Sequence, residues 1–303
     1  MKKIFIILTV TVVIFFSIFS FVYSTLQKTT EPLISVIMPT YNRAHLLPQA
    51  INSILNQTYK NFEFIIINDG SSDKTQKVLK EYQKKDHRII LLSNDENKGI
   101  VTSLNKGLEI AKGKYIARMD DDDISLPRRL ERQVYFLEAN PDITVLGSNI
   151  QLPKSHIYKK HHDIHENAII SHFETPLYHP TVMMRTSFFK KHNLKYDNEF
   201  NATEDSHLWF LVTQKNGKIQ NLDEVLVIQD IFSPKNYNLT NQSKNFQKFL
   251  QISLSNFLTQ EEIQNLHFPL GHKQFCYIIK SMEKKNSTYP QEAFNSLKEY
   301  YCH

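Results

Sequence analysis

Hydrophobic positions along the 303-residue chain fall into three regimes. Ile4 to Leu26 is an uninterrupted uncharged run behind Lys2 and Lys3. After a polar linker, Gln27 to Pro32, short apolar runs alternate with segments whose apolar residues recur every three or four positions. "LISVIMPT", "FEFIIIN", "RIILL" and "KYIARM" read as strands. Between them, "RAHLLPQAINSILNQ", "KTQKVLKEYQKK" and "IVTSLNKGLEIAKG" have helical spacing, with Leu46, Leu47, Ala50, Ile51, Ile54 and Leu55 marking the first. Strands without polar alternation, separated by amphipathic helices, predict a Rossmann-like, doubly wound, mostly parallel α/β sheet covered on both faces. "LPRRLERQVYFLEANP" follows as a helix opened by Pro127, then a strand "DITVLGSN". "HPTVMMRT" and "EVLVIQD" predict later strands on either side of a helix over "EDSHLWFLVTQKNG". Gln151 to Phe173 is a weakly patterned connector with one short helix. Beyond Asn238 the spacing is helical again and the sequence polar.

The pattern divides the chain into an anchor and linker (1–32), an α/β domain (33–235, with halves 33–125 and 126–235) and a small C-terminal helical region (236–303). The first run exceeds the roughly 20 apolar residues needed to cross a hydrocarbon core and lacks a small-x-small cleavage site, so a single-span N-terminal membrane anchor is expected. Lys2 and Lys3 ahead of it favour a cytoplasmic N-terminus and place the remainder on the far side. Sequons at Asn201 ("NAT") and Asn238 ("NLT") permit a lumenal placement.

A hydrophobic content of 41% supports one substantial core. The net charge of +5 is dispersed among acids, which argues against nucleic acid as a partner. Cys276 and Cys302 allow at most one bridge, and free thiols are the expectation. His161 and His165 stand one helical turn apart, but without supporting cysteines or a Glu-x-x-His pattern they read as part of a solvated linker and not as a zinc site. Trp209, among Leu208, Phe210 and Leu211, reads as core.

In open α/β sheets ligands bind beyond the carboxyl ends of the strands. Three polar clusters fall there: "PTYNR", "NDGSSD" and the run Asp120, Asp121, Asp122, Asp123. Four adjacent carboxylates repel one another and ask for a cation. The spacing lacks the alternating ligands and glycine of an EF-hand loop.

The stretches "SVIMPTYNRAHLLPQAINSILNQTYKNFEFIIINDGSSDKT", "NKGIVTSLNKGLEIAKGKYIARMDDDDISLPRRLERQ" and "ATEDSHLWF", in that order, resemble the family 2 inverting glycosyltransferases of the GT-A fold over about Ile34 to Asp230. The resemblance implies a nucleotide-diphospho-sugar donor, a UDP-sugar by expectation, and a glycan, lipid-linked or protein-linked acceptor. It implies a divalent cation, Mn²⁺ or Mg²⁺, as a Lewis acid for the departing diphosphate, so that the acids need no neutralisation from within the protein. The family's Asp-x-Asp motif falls on Asp120 and Asp122. Asp122 would ligate the metal directly and Asp120 would contact the ribose or the metal shell, with Asp121 at the variable position and Asp123 as the acid that follows.

Pro39, Thr40 and Tyr41 match the loop lining the base pocket, and Asp69 matches the acid that accepts a hydrogen bond from the base. Read without the resemblance, Asp69 is an ordinary turn residue before Gly70. Asn97, Lys98 and Gly99 match the stretch closing over the nucleotide, where a helix cap explains them equally well. The Glu-Asp motif falls on Glu204 and Asp205, which makes Asp205 the catalytic base; its alternative is an acidic first helical turn capped by Thr203. His179 in "YHPTVMMR" is either a buried structural histidine or a residue near the acceptor. Two other functions compete: a catalytically inactive nucleotide-sugar-binding relative, and a nucleotidyltransferase. The latter would need a glycine-rich basic loop after the first strand, and "PTYNRAHLL" contains no glycine.

Overall fold

Seven successive buried residues make β1 (Ile34–Thr40), a strand covered on both faces. The computed structural model describes residues 31–152, 156–230, 239–266, 269–285 and 288–302. β1 pairs in parallel with β2 (Phe62–Asp69) and β4 (Tyr115–Arg118), and β3 (Ile89–Asn94) extends the sheet in parallel beyond β2. Successive side chains of a strand point to opposite faces, so β1 divides its own residues between two cores. Val36 and Met38 pack with Leu47, Ile51 and Ile54 of α1 (Leu47–Leu55) and with Leu79 of α2 (Thr75–Lys85). Ile37 packs with Val101 and Leu104 of α3 (Ile100–Ile110) in a separate cluster. Each such side chain contributes about 1.5–3 kcal/mol when fully buried, which is why an apolar run this dense is stable only between two layers.

The second half corrects the expectation of a mostly parallel sheet. The sheet order is β3-β2-β1-β4-β8-β6-β9-β5, and it is mixed. β8 (Met183–Arg185) lies antiparallel to both β4 and β6 (Ile143–Leu152), and β9 (Lys218–Ile228) lies parallel to β6. β5 (Ile124–Ser125) closes the edge antiparallel to β9, while β7 (His156–Tyr158) folds back onto β6. Strands of two or three residues carry too little pattern to reveal their direction, which tertiary pairing decides.

Helices α4 (Arg129–Ala139), α5 (Ile164–Ile170), α6 (Thr186–His192) and α7 (Glu204–Gln214) cover this half. α7 is apolar nearly all round because it sits between two clusters: Leu208, Trp209 and Val212 face one, Phe210 the other. Trp209 is core, as its neighbours imply. Helices α8 (Leu239–Ser253), α9 (Gln260–Gln264), α10 (His272–Lys285) and α11 (Gln291–Tyr301) share their cluster with Ile169, Ile170 and Phe210. The C-terminal helices therefore pack on the second half of the α/β domain through a common core. Buried His172 joins them, its Nδ1 lying 2.8 Å from the Ser253 carbonyl, and burial pushes its pKa down to about 4.

Two expectations about side chains are overturned. His161 is not solvated: its Nδ1 lies 2.7 Å from Glu166 and its ring packs on Tyr300 and Tyr301, whereas His165 is exposed, as expected. Cys276 and Cys302 are joined in a disulfide, with Cα atoms 5.0 Å apart. The bridge ties the end of α11 to α10 and spans 26 residues. Cys302→Ser is expected to lower the unfolding free energy by about 3 kcal/mol. In urea titrations, reductant should reproduce that shift in the parent and add nothing in the variant.

The expected membrane anchor, Ile4 to Leu26, lies outside the described residues. Among those described, no helix is long and apolar enough to cross a membrane.

Candidate active site

β4 ends at Arg118, and the chain leaves the sheet as Asp120 to Asp123. Three contacts hold this loop. β5 pairs Ile124 and Ser125 with β9. Buried Gln57 donates to the Leu126 carbonyl at 2.8 Å and accepts from the Leu130 amide at 3.1 Å. The Asp230 amide donates to Asp123 Oδ1 at 2.9 Å. Asp120, Asp122 and Asp123 thereby bring one carboxylate oxygen each within 4.8 Å of one another.

Guanidinium groups offset part of this charge from within the protein. Arg43 Nε lies 4.0 Å from Asp121 and Arg118 Nη2 is paired with Asp120. Beneath them Arg129 donates to the Arg118 carbonyl at 2.6 Å; burial and Arg118 pull its pKa down to about 9. Compensation remains incomplete. Burial, reinforced by Asp122 and Asp120, pushes Asp121 up to about 7 against the opposing Thr40 hydroxyl and Arg43. Burial likewise raises Asp123 well above the usual carboxylate range, and its Oδ2 is buried with no hydrogen-bond partner among the described residues. Clustered hard oxygens with unmet acceptor capacity are the donor set that Mg²⁺ or Mn²⁺ takes, so these residues fit a divalent cation.

The loops after β1 and β2 form one unit beside the acids. Pro39 and Thr40 end β1, and Tyr41 follows with its ring 37% exposed. The Asn42 amide donates to Ser71 Oγ at 3.0 Å, and its side-chain oxygen accepts from the Ser72 amide at 2.9 Å. Asp69 is more than a turn residue. Its Oδ1 accepts from Asn94 Nδ2 at 2.7 Å and from the Lys98 amide at 3.0 Å, while Oδ2 accepts from the Gly99 amide at 2.9 Å. The Asn97 side chain accepts a further bond from the Gly99 amide at 3.1 Å. Gly70, at φ +69°, lets this turn lie directly on the 96–97 backbone: a Cβ there would fall 2.2 Å from the Glu96 carbonyl carbon. Asp69 thus ties Asn97, Lys98 and Gly99 to the rim and keeps acceptor capacity on Oδ2.

At the start of α7, Thr203 does not cap the helix; its hydroxyl turns back to the Phe200 carbonyl at 3.1 Å. Ala202 before it has φ +70°, a conformation costing about 1 kcal/mol or more that presents the next residues at a fixed angle. Glu204 is buried and Asp205 half-buried. Burial raises both carboxyls, Glu204 to about 7 with Asp205 adding to it. Asp205 is the better stabilised as an anion. Its Oδ1 accepts from the Ser206 amide at 2.8 Å, its Oδ2 faces the Thr175 hydroxyl at 3.4 Å, and Arg118 and Lys160 act on it. Glu204 Oε2, by contrast, is buried without a hydrogen-bond partner among the described residues.

The two acidic sets meet around residues that sequence reasoning missed. Arg118 lies near enough to act on Asp123, Glu204 and Asp205. Buried Tyr196 is influenced by Arg118, Asp205, Glu204 and Asp120, and its hydroxyl lies 2.8 Å from Nε2 of His179. His179 is held there with its pKa lowered by burial and by Arg118. An arginine inside the otherwise apolar strand "YIARM" was the available signal, since a buried cation demands a partner. A separate groove of about 810 Å³ along α3, lined by Lys98, Lys106, Lys190 and Lys195, contains none of these aspartates.

Comparison with known proteins identifies the family. The sequence model of glycosyl transferase family 2 matches residues 35–203. An uncharacterized glycosyltransferase of Haemophilus influenzae is 36% identical over 230 residues, covering 71% of this chain and 70% of that one. Among solved structures, the mannosyltransferase PcManGT from Pyrobaculum calidifontis in complex with GDP-Man and Mn²⁺ superposes with a TM-score of 0.62 at 14% identity, over 90% of this chain and 81% of its own. TarS from S. aureus in complex with UDP-GlcNAc gives 0.58 at 17% identity, over 87% and 83%. At those identities the two structures speak for the fold alone. The family match spans more than half of the chain, and a relative above 30% identity covers over two thirds of it: the chain belongs to glycosyl transferase family 2 and is a glycosyltransferase.

Proposed function

We propose that this enzyme is metal-dependent and inverting, and moves a sugar from a nucleotide-diphospho-sugar, by preference a UDP-sugar, to a hydroxyl of a glycan, lipid-linked or protein-linked acceptor. The observation that carries the reading is the meeting of two acidic sets around Arg118: Asp120, Asp122 and Asp123 on one side, Glu204 and Asp205 on the other. Solved neighbours that hold UDP-GlcNAc, or GDP-Man with Mn²⁺, support it.

Asp122 with Asp120, and Asp123 behind them, would hold the divalent cation, which when bound supplies Lewis-acid stabilisation of the departing diphosphate. Pro39, Thr40 and Tyr41 would line the base pocket, where the exposed Tyr41 ring offers a stacking face. Asp69 would accept from the base at Oδ2, while its other bonds hold Asn97 and Lys98 over the nucleotide. Asp205 takes the proton of the acceptor hydroxyl at Oδ2 as that oxygen attacks the anomeric carbon from the face opposite the diphosphate. The new glycosidic bond forms as the bond to the diphosphate breaks, and configuration inverts. Glu204, more readily protonated, keeps a second negative charge away from Asp205 near neutral pH.

The run Ile4 to Leu26 would tether the enzyme to a membrane. The Cys276–Cys302 bridge favours an oxidising compartment for the folded part, in line with a cytoplasmic N-terminus. The test presents the full-length chain with Mn²⁺ and a panel of UDP- and GDP-sugars. One donor should raise the melting temperature by several degrees and release its nucleoside diphosphate when acceptor is added. If no nucleotide sugar stabilises the protein, the donor assignment is wrong.

A further inference from the structure

Three tyrosines that no core needs lie within electrostatic reach of one another around Tyr178. Tyr300 is 61% exposed and Tyr158 47% exposed, while Tyr178 is half-buried. None belongs to the three apolar clusters found among the described residues. They come from three distant parts of the chain: β7, the segment before the 179–181 turn, and the last turn of α11. Folding has brought them together. Lys160 stands at the centre, its Nζ 5.2 Å from the Tyr178 ring centre, 2.9 Å from Glu174 Oε1 and 2.8 Å from the Thr175 carbonyl. Glu174 Oε2 accepts from the Tyr301 hydroxyl at 3.0 Å, and the Tyr300 ring lies 4.8 Å from that of Tyr301 and 4.9 Å from His161. Tyr158 and Tyr300 are both near enough for their charge to bear on Tyr178. The connection to the chemistry is one residue long, because Thr175 also reaches Asp205 Oδ2 at 3.4 Å.

A pyranose ring suits such a surface. Its polarised C–H face settles on the negative face of an aromatic ring, and its equatorial hydroxyls take up the donors of an ammonium and the acceptors of a carboxylate. We propose that Tyr158, Tyr178 and Tyr300, with the Lys160–Glu174 pair between them, form the platform that binds a carbohydrate acceptor and turns its hydroxyl toward Asp205. The inference rests on Asp205 as the base and deepens that reading by assigning the acceptor a chemical class. A second protein chain is the other occupant an aromatic patch can take; the polar pair at its centre and its continuity with Asp205 favour the sugar. The Cys276–Cys302 bridge gains a role, since it fixes the chain beside Tyr300 and Tyr301.

The test is saturation-transfer NMR on the full-length chain with methyl glycosides of glucose, galactose, mannose, N-acetylglucosamine and glucuronic acid. At least one should receive saturation at its ring C–H protons. Tyr158→Ala and Tyr300→Ala should each weaken that binding about three- to tenfold, and Tyr158→Phe and Tyr300→Phe should retain it, because the ring face is what the sugar meets. Stabilisation by the nucleotide sugar is read on the same samples, so a failure of the donor assignment shows separately. The proposal is overturned if no glycoside binds, if the alanine variants bind as the parent does, or if the phenylalanine variants lose as much as the alanine ones. It is equally overturned if Tyr300→Ala abolishes self-association and leaves glycoside binding untouched.

Discussion

Asp205→Asn is expected to slow transfer by about a thousandfold while leaving the donor-dependent rise in melting temperature in place. The amide keeps the size of the carboxylate; its Oδ1 can still accept from the Ser206 amide while Nδ2 donates to the Thr175 hydroxyl oxygen, so α7 has no reason to shift. An asparagine also serves a helix N-terminus as well as aspartate does, which separates catalysis from a merely helix-stabilising role. What is lost is the ability to take a proton. The sign of the pH dependence follows from the raised carboxyls. Burial lifts both, so the basic form of Asp205 accumulates only as pH climbs, and the parent's rate should rise with pH along an acid limb lying above the ordinary carboxylate range and then level off. The variant should lose this limb. Glu204→Gln removes the neighbouring charge that helps lift the pair, so its limb should move to lower pH. A parent profile with no acid limb above the ordinary carboxylate range, or an Asp205→Asn enzyme with the parent's rate, would sink the assignment of the base.

The parts of the molecule that the sequence made legible are those whose physics is local. β1 and β2 are buried over seven and eight consecutive residues, so their apolar runs announce strands covered on both faces. α1 shows its apolar stripe for the same reason. β5 and β7, of two or three residues, exist only because neighbouring strands receive them, and β8, expected within "HPTVMMRT", gave no sign of its antiparallel direction, so the mixed half of the sheet was hidden. The Cys276–Cys302 bridge joins positions with no local cue to their proximity. The acids at the strand ends stood out because like charges crowd there. Arg118, Thr175 and Tyr196 did not, because each acquires its meaning from partners far away in the chain: Arg118 from Asp205, Thr175 from Lys160, Tyr196 from His179. Reading His161 as solvated failed on similar grounds, since the aromatic residues that cover it arrive from the C-terminus.

Asp122→Asn should reduce transfer by about a thousandfold or more, and removal of divalent cations by a chelator should bring the parent to the same level. The two treatments should not add, since both remove the same charge on the departing diphosphate. Stability is expected to move the other way. Asp120, Asp122 and Asp123 hold oxygens within 4.8 Å of one another, and in the absence of metal their mutual repulsion opposes folding. Neutralising Asp122 relieves part of that repulsion, so the metal-free variant should unfold at a urea concentration equal to or higher than the metal-free parent, by about 1 kcal/mol at most. Mn²⁺ should then stabilise the parent and leave the variant nearly unmoved. A structural acid behaves in the opposite sense: its loss destabilises the apo protein and leaves the response to metal intact. Activity lost while stability holds is the signature of carboxylates kept under strain for a ligand, and the buried Asp123 oxygen without a partner is where that strain is visible.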